Sequence, residues 1–291
     1  MAGLGWLTQG VGVGFRHPKP LFGGAALLVV AALLPSLITL PLQFHALQTG
    51  QPLNPGFSWI LMVVSMVLGL LLVPLYAGYL QVIDAAEQGL PAGALDIFKP
   101  YRQGEALPLI GYGLTMLVVY AAMIGIIIAA TGGGIASWYM QMLTVQANHQ
   151  PPPGLPHGFG IALTLFMVLA LFIMGLYAIG LGQVALRRRG VFGAVGDGIV
   201  GALKNLLPLI VFAVSVFLAW IAIAIVLVIV VIVVALLAKL VGTWLMIVVM
   251  MAFYIAMMLI MFTMMFGTMY YLWRDVCGDD TVPGMPPPLV A

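Results

Sequence analysis

Three histidines and a run of methionines are the residues whose types come nearest to a reactive or metal-handling centre. His45, His149 and His157 fall in stretches that connect apolar segments, and Pro151-Pro152-Pro153 stiffens the chain between the last two. Imidazole nitrogens are good ligands for copper, zinc and nickel. Residues 243–273 carry Met246, Met250, Met251, Met257, Met258, Met261, Met264, Met265 and Met269. At helical spacing Met250, Met257, Met261, Met264 and Met265 can share a face. Thioethers favour copper in its reduced state, so histidines that capture an ion and methionines that pass it on would make a copper path. A plainer explanation weighs more. Methionine is a flexible apolar filler, and loop histidines with no cysteine or carboxylate beside them usually face water.

The second chemical feature is positive charge. Arg187-Arg188-Arg189 is the densest basic run, and Lys204, Lys99 and Arg102 stand in comparable connecting segments. Such residues first anchor topology. They also attract anionic lipid, at about 1 kcal/mol per basic residue near the surface. Catalytic constellations do not emerge. A nucleophile, its base and an orienting group must converge, yet the acids and three of the four histidines fall on opposite sides of the apolar segments. No His-Glu-x-x-His, phosphate loop or pair of intramembrane aspartates occurs. The single cysteine, Cys277, excludes an internal disulfide framework and any multi-cysteine metal site. The expectation is a protein that is not an enzyme and holds no cofactor.

What must position these residues is set by composition. Of 291 residues, 64% are hydrophobic and 6% charged, against about 25% charged in an ordinary soluble domain. Ten basic and eight acidic residues cannot coat a soluble fold of this size. A net charge of +2 implies no nucleic-acid partner. Apolar runs at 21–44, 57–83, 107–130, 159–186, 207–237 and 243–273 each reach the ~20 residues a helix needs to cross a bilayer. Lipid offers no partner to bare backbone groups, so such runs are helices. The alternation of a membrane barrel strand is missing. The N-terminus has no basic residue ahead of its apolar positions and does not read as a cleaved signal peptide.

Charge placement supports six crossings with both termini inside. Nine of the ten Lys and Arg residues, all but Lys239, then fall on the cytoplasmic side, and so do all eight acids. Trp6, Trp59, Trp138, Trp244 and Trp273 stand near predicted boundaries, as an aromatic belt requires. No ionisable side chain falls in the centre of a crossing, which argues against a proton-coupled carrier. Polar groups such as Tyr112, Thr115, Tyr120, Ser215, Tyr254 and Thr263 suit bonds between helices. Gly132-Gly133-Gly134 should break the third crossing's helix, and Gly175, Gly180 and Gly182 should permit close helix contact.

A repeat of about a hundred residues runs through the chain. Leu75-Tyr76-Ala77 and Gln81-Val82 recur as Leu176-Tyr177-Ala178 and Gln183-Val184; Leu107-Pro108-Leu109-Ile110 recurs as Leu207-Pro208-Leu209-Ile210. The unit is an amphipathic inner segment, a basic residue, a proline entry and two crossings. In the linker 188–206, Phe192, Val195, Ile199, Leu203 and Leu206 form one helical stripe. That piece is too short to span and should lie in the inner interface; 92–102, within the linker 88–106, is its counterpart. The expected architecture is all-α and polytopic. A cytoplasmic amphipathic segment (1–20) precedes six transmembrane helices (21–273), arranged as three parallel hairpins with interfacial helices, and a cytoplasmic tail (274–291) ends the chain.

With Trp6 in a short amphipathic start, then Phe15-Arg16-His17-Pro18, proline-entry hairpins and glycine-rich linkers, the chain resembles a family of uncharacterised proteobacterial inner-membrane proteins. Their membrane region is similar to that attached to some glycerophosphodiester phosphodiesterases. The resemblance spans about residues 6–274 and implies the fold; no soluble phosphodiesterase domain has room here. The functional expectation is a bacterial inner-membrane protein acting through lipid or protein contacts, as a scaffold or envelope-biogenesis accessory. Its partners would be membrane lipids, a membrane protein or a second copy. The alternative is a channel or transporter for a small solute, copper among the candidates.

Overall fold

The structure, a computed structural model, describes residues 2–49, 55–147 and 151–278. Every regular element among them is helical. In chain order these are α1 (Ala2–Arg16), α2 (Pro18–Thr49), α3 (Pro55–Glu87), a 3-10 turn (Ala94–Phe98), α4 (Lys99–Arg102), α5 (Ala106–Ala130), α6 (Gly134–Ala147), α7 (Phe159–Arg187), α8 (Val191–Lys204), α9 (Leu206–Val241) and α10 (Thr243–Cys277). Six are long and apolar enough to cross a membrane: Pro18–Pro41, Trp59–Glu87, Ala106–Ala130, Phe159–Arg187, Leu206–Leu237 and Met246–Cys277, with mean hydropathy from 2.3 to 3.5. The chain is thus a multi-pass membrane protein by the length and composition of its helices.

Charge gathers at one end of the bundle. There the starts of α2 and α5 meet the ends of α3, α7 and α10. His17 lies 3.3 Å from Glu87, Tyr271 donates to Glu87 at 2.5 Å, and Arg188 reaches Glu105 at 2.6 Å. Gln81 donates to the Ala185 carbonyl at 2.9 Å. Among the described charged residues Lys239 alone stands apart, in the last turn of α9. Below this end the packing relies on large aromatics against glycine. Tyr112 of α5 donates to the Tyr177 carbonyl of α7 at 3.1 Å, over Gly180, where a Cβ would lie 2.5 Å from the phenol oxygen. Gly182 is tighter still, since a Cβ there would overlap the Trp273 ring. Tyr79, fully buried, donates to the Leu21 carbonyl at 2.9 Å and lies 3.1 Å from the Thr263 hydroxyl. Such interhelical bonds contribute about 0.6 kcal/mol each in a bilayer.

Several segments differ from the sequence expectation. α1, expected only as an amphipathic cytoplasmic segment, packs into the bundle: Trp6, Leu7 and Val13 are buried against α9 and α10. Its small residues allow this. Gly3 meets the Pro208 carbonyl, Gly10 meets Thr268, and a Cβ at Gly14 would lie 2.7 Å from Thr263. The piece 92–102 is a 3-10 turn continued by one helical turn rather than an amphipathic helix, because Pro100 and the Asp96 cap on the Gly93 amide favour short turns. The connection between the third and fourth crossings, which holds His149 and His157, is helical from Gly134 to Ala147. α5 does end at the triple glycine, with Gly132 and Gly133 at φ of +57° and +77°, values an L side chain adopts only with strain.

Candidate functional site

The site begins where α7 stops. Arg188 takes the left-handed conformation (φ 52°), and the Arg189 amide then bonds back to the Gln183 carbonyl at 3.0 Å. The helix thus closes on a left-handed residue at its C-terminus, but with arginine where glycine is usual. Left-handed backbone costs a non-glycine residue about 1–2 kcal/mol. The result is that three consecutive arginines leave the helix end in three directions.

α8 packs back on α7 by its small side, not its bulky one. Ala194, Gly198, Gly201 and Ala202 are buried. A Cβ at Gly198 would lie 2.8 Å from the Leu176 carbonyl, and one at Gly201 2.7 Å from Ile179. The bulky stripe is turned away from the protein: Phe192 is 86% and Leu203 54% exposed, with Ile199 and Leu206 also exposed. The physical reason is distance. Glycine and alanine let the two backbones approach closely, whereas the bulky side chains would hold them apart and are at home against lipid.

This docking places Asp197, Val200, Gly201 and Lys204 along one side of α8, at the i, i+3, i+4, i+7 spacing of a helix face. They face Gln183 and Arg187 of α7 and Val276 and Cys277 of α10 across a cleft of about 770 Å³, which Arg189, Gly196 and Asn205 also line. Among the described residues three cations (Arg187, Arg189, Lys204) oppose one carboxylate (Asp197), leaving two positive charges. Asp197 accepts from Arg189 Nε at 3.0 Å and from Gln183 Nε2 at 3.3 Å. The Arg187 guanidinium lies over the Trp273 ring, 5.9 Å from its centroid. Arg187 and Lys204 make no ion pair among the described residues. Gln183 is buried, and its Oε1 accepts no bond among them, nor does the buried Trp273 Nε1 donate one. An unmet buried polar atom costs about 1–3 kcal/mol. Charge-assisted donors in such an arrangement have the chemistry to bind and orient an anion.

The other sequence candidates separate from this cleft. Arg188 bridges to Glu105, which also accepts from Gln81 at 3.3 Å; with Arg188 77% exposed, the pair contributes about 0–1 kcal/mol. Lys99 and Arg102 both turn to Asp96, at 3.5 and 3.8 Å, and Arg102 donates to the Leu95 carbonyl at 2.9 Å. They brace their own linker. Beside them the Tyr101 hydroxyl donates to the Leu71 carbonyl, and burial raises its pKa. A separate polar knot ties α1, α3 and α10. Glu87, whose side chain is 9% exposed, takes Tyr271 at 2.5 Å and Arg16 at 3.3 Å, while Asp84 takes Tyr270 at 3.0 Å.

His149 lies outside the described residues, as does the side chain of His45. His157 is exposed in the segment before α7. Among the described residues no three His, Cys, Asp or Glu side chains form a metal-holding group. Of the methionine face, Met250, Met257, Met261 and Met264 are half-buried, but Met265 is exposed.

Gln183, Asp197 and Asn205 are the cleft residues that sequence reasoning passed over as ligands. A signal existed. Gln183 is an amide four positions before Arg187 in an otherwise apolar helix, and Asp197 stands seven before Lys204, on the same helical face. No family model, curated protein or solved structure matches the chain, so its function is read from geometry alone.

Proposed function

We propose that the protein is a non-enzymatic constituent of the bacterial inner membrane that works by contact at its charged end, as a scaffold or envelope-biogenesis accessory. The observation that carries this is the convergence of Arg187, Arg189 and Lys204 on one open cleft, where among the described residues Asp197 is the one opposing carboxylate. By the positive-inside bias that end faces the cytoplasm, with both termini there. α2 packs on α3, α5 on α7 and α9 on α10, which is consistent with three parallel hairpins entering from the inner face. Gln81 and Gln183, at corresponding positions of the repeated unit, each donate to a carboxylate of the linker that follows, Glu105 and Asp197. The partners are inner-leaflet lipids, with a membrane protein or a second copy engaged through the same face.

The test is replacement of Arg187, Arg188 and Arg189 together by Gln, then quantitation of anionic lipid and cross-linked proteins that co-purify per chain. Both should fall. Lipid and partner content unchanged from the unaltered protein would contradict the proposal.

A further inference from the structure

The cleft is more specific than a basic surface, and we infer that it is a saturable site for the phosphate of one anionic glycerophospholipid. The inference rests on the contact function proposed above and names the ligand of that same site. Four observations lead to it.

Arg189 spends its Nε on Asp197 at 3.0 Å and has no other side-chain bond among the described residues. Its two terminal amino groups are left as a fork, the geometry that matches two oxygens of a phosphate. Asp197 is itself fixed, because Gln183 Nε2 holds the same oxygen at 3.3 Å. Gln183 keeps this role although its Oε1 is buried without a donor among the described residues, a cost an apolar residue in its place would not incur. It is therefore a positioning residue: Gln183 sets Asp197, and Asp197 sets Arg189.

Arg187 and Lys204 supply cations from two different helices on either side of the cleft. With Asp197 already paired to Arg189, the site retains two positive charges among the described residues. It suits a headgroup of net negative charge and disfavours one carrying an ammonium.

Finally, the site has an apolar shoulder. Val200, which lines the cleft, and Leu203 and Phe192 on the same helix are exposed. In a helix beside membrane-crossing α7 and α10, those side chains meet acyl chains. A free anion would gain nothing from them, which is why the phosphate is assigned to a lipid.

The experiment titrates the purified full-length protein in nonionic detergent with dioctanoyl phosphatidylglycerol, dioctanoyl phosphatidylcholine or inorganic phosphate, counting bound molecules by native mass spectrometry. One phosphatidylglycerol per chain should bind about tenfold more tightly than phosphatidylcholine. Lys204→Gln, at an exposed position, should weaken phosphatidylglycerol about fivefold to tenfold, and Arg102→Gln, outside the cleft, should not. Gln183→Met should reduce the preference for phosphatidylglycerol over phosphatidylcholine without weakening phosphatidylcholine. Should that variant fail to fold, Lys204→Gln against Arg102→Gln carries the test. Equal binding of the two lipids, or equal effects of Lys204→Gln and Arg102→Gln, would overturn the site while leaving contact at the basic end in place. Displacement of phosphatidylglycerol by an equal concentration of inorganic phosphate would overturn the lipid assignment. Full lipid and partner retention by the triple arginine variant would instead remove the underlying contact function.

Discussion

The Trp6 indole N–H donates to the Asp275 carboxylate at 2.8 Å, joining α1 to α10 across 269 positions of sequence. The indole ring is 3% exposed and lies beside Phe212 of α9, with centroids 6.4 Å apart. α1 is thus held along its whole length: by a polar bond at one end, by glycine-backed packing in the middle, and by Arg16 on Glu87 and Tyr271 at the other.

This bond separates into ring and donor. Trp6→Phe keeps most of the apolar contact and loses the hydrogen bond to a charged acceptor, a loss of about 1.5 kcal/mol. Trp6→Ala also empties a buried volume and should cost about 3–5 kcal/mol. Thermal unfolding of the detergent-solubilised protein should rank unaltered above Trp6→Phe above Trp6→Ala. Equal midpoints would mean that α1 is not docked.

Gly182 predicts a loss of stability from the addition of a single methyl. A methyl at this position would overlap the Trp273 ring, and interiors packed to crystal density cannot absorb it without displacement. Gly182→Ala should destabilise by about 1–3 kcal/mol. Gly160→Ala, in the same helix with nothing within 4 Å of the new atom, should be neutral or stabilise by up to about 1 kcal/mol. Paired unfolding curves check the contrast.

Arg188 offers a dissection of the arginine run. Arg188→Gly removes an exposed ion pair worth about 0–1 kcal/mol and relieves about 1–2 kcal/mol of left-handed backbone. Stability should therefore hold or rise slightly. Because Arg188 points to Glu105 and not into the cleft, phosphatidylglycerol binding should stay within about twofold, a shift below 0.5 kcal/mol. A tenfold loss with this variant alone would place Arg188 at the headgroup.

The crossings were legible because length and hydropathy act locally: Phe159–Arg187 needs no partner to be recognised as a span. Arg187, Arg189 and Lys204 were legible as basic residues beside the membrane. Their convergence was not, since it depends on which side of α8 docks. The bulky stripe Phe192–Ile199–Leu203 marks an interfacial helix but not what meets α7; in water, bulky apolar side chains are the ones preferred against protein. Beside lipid the preference inverts, and Ala194, Gly198 and Gly201 decide the packing. Lys99 and Arg102 matched Lys204 in type but find Asp96 within their own turn, a contact that depends on the irregular backbone at 94–102. α1 was readable as amphipathic, but Trp6 meeting Asp275 is a long-range contact that no local pattern encodes.

The central claim is that six helices cross and gather nearly all charge at one membrane face. α7 tests it most directly, since its 29 residues separate His157 from Arg188 by about 43 Å of helix at 1.5 Å per residue. In a Cys277→Ser background, His157→Cys and Arg188→Cys would each be exposed to a membrane-impermeant maleimide in intact spheroplasts and in inverted vesicles. His157→Cys should label only in spheroplasts and Arg188→Cys only in inverted vesicles. Labelling of both from the same side would contradict the six-crossing topology.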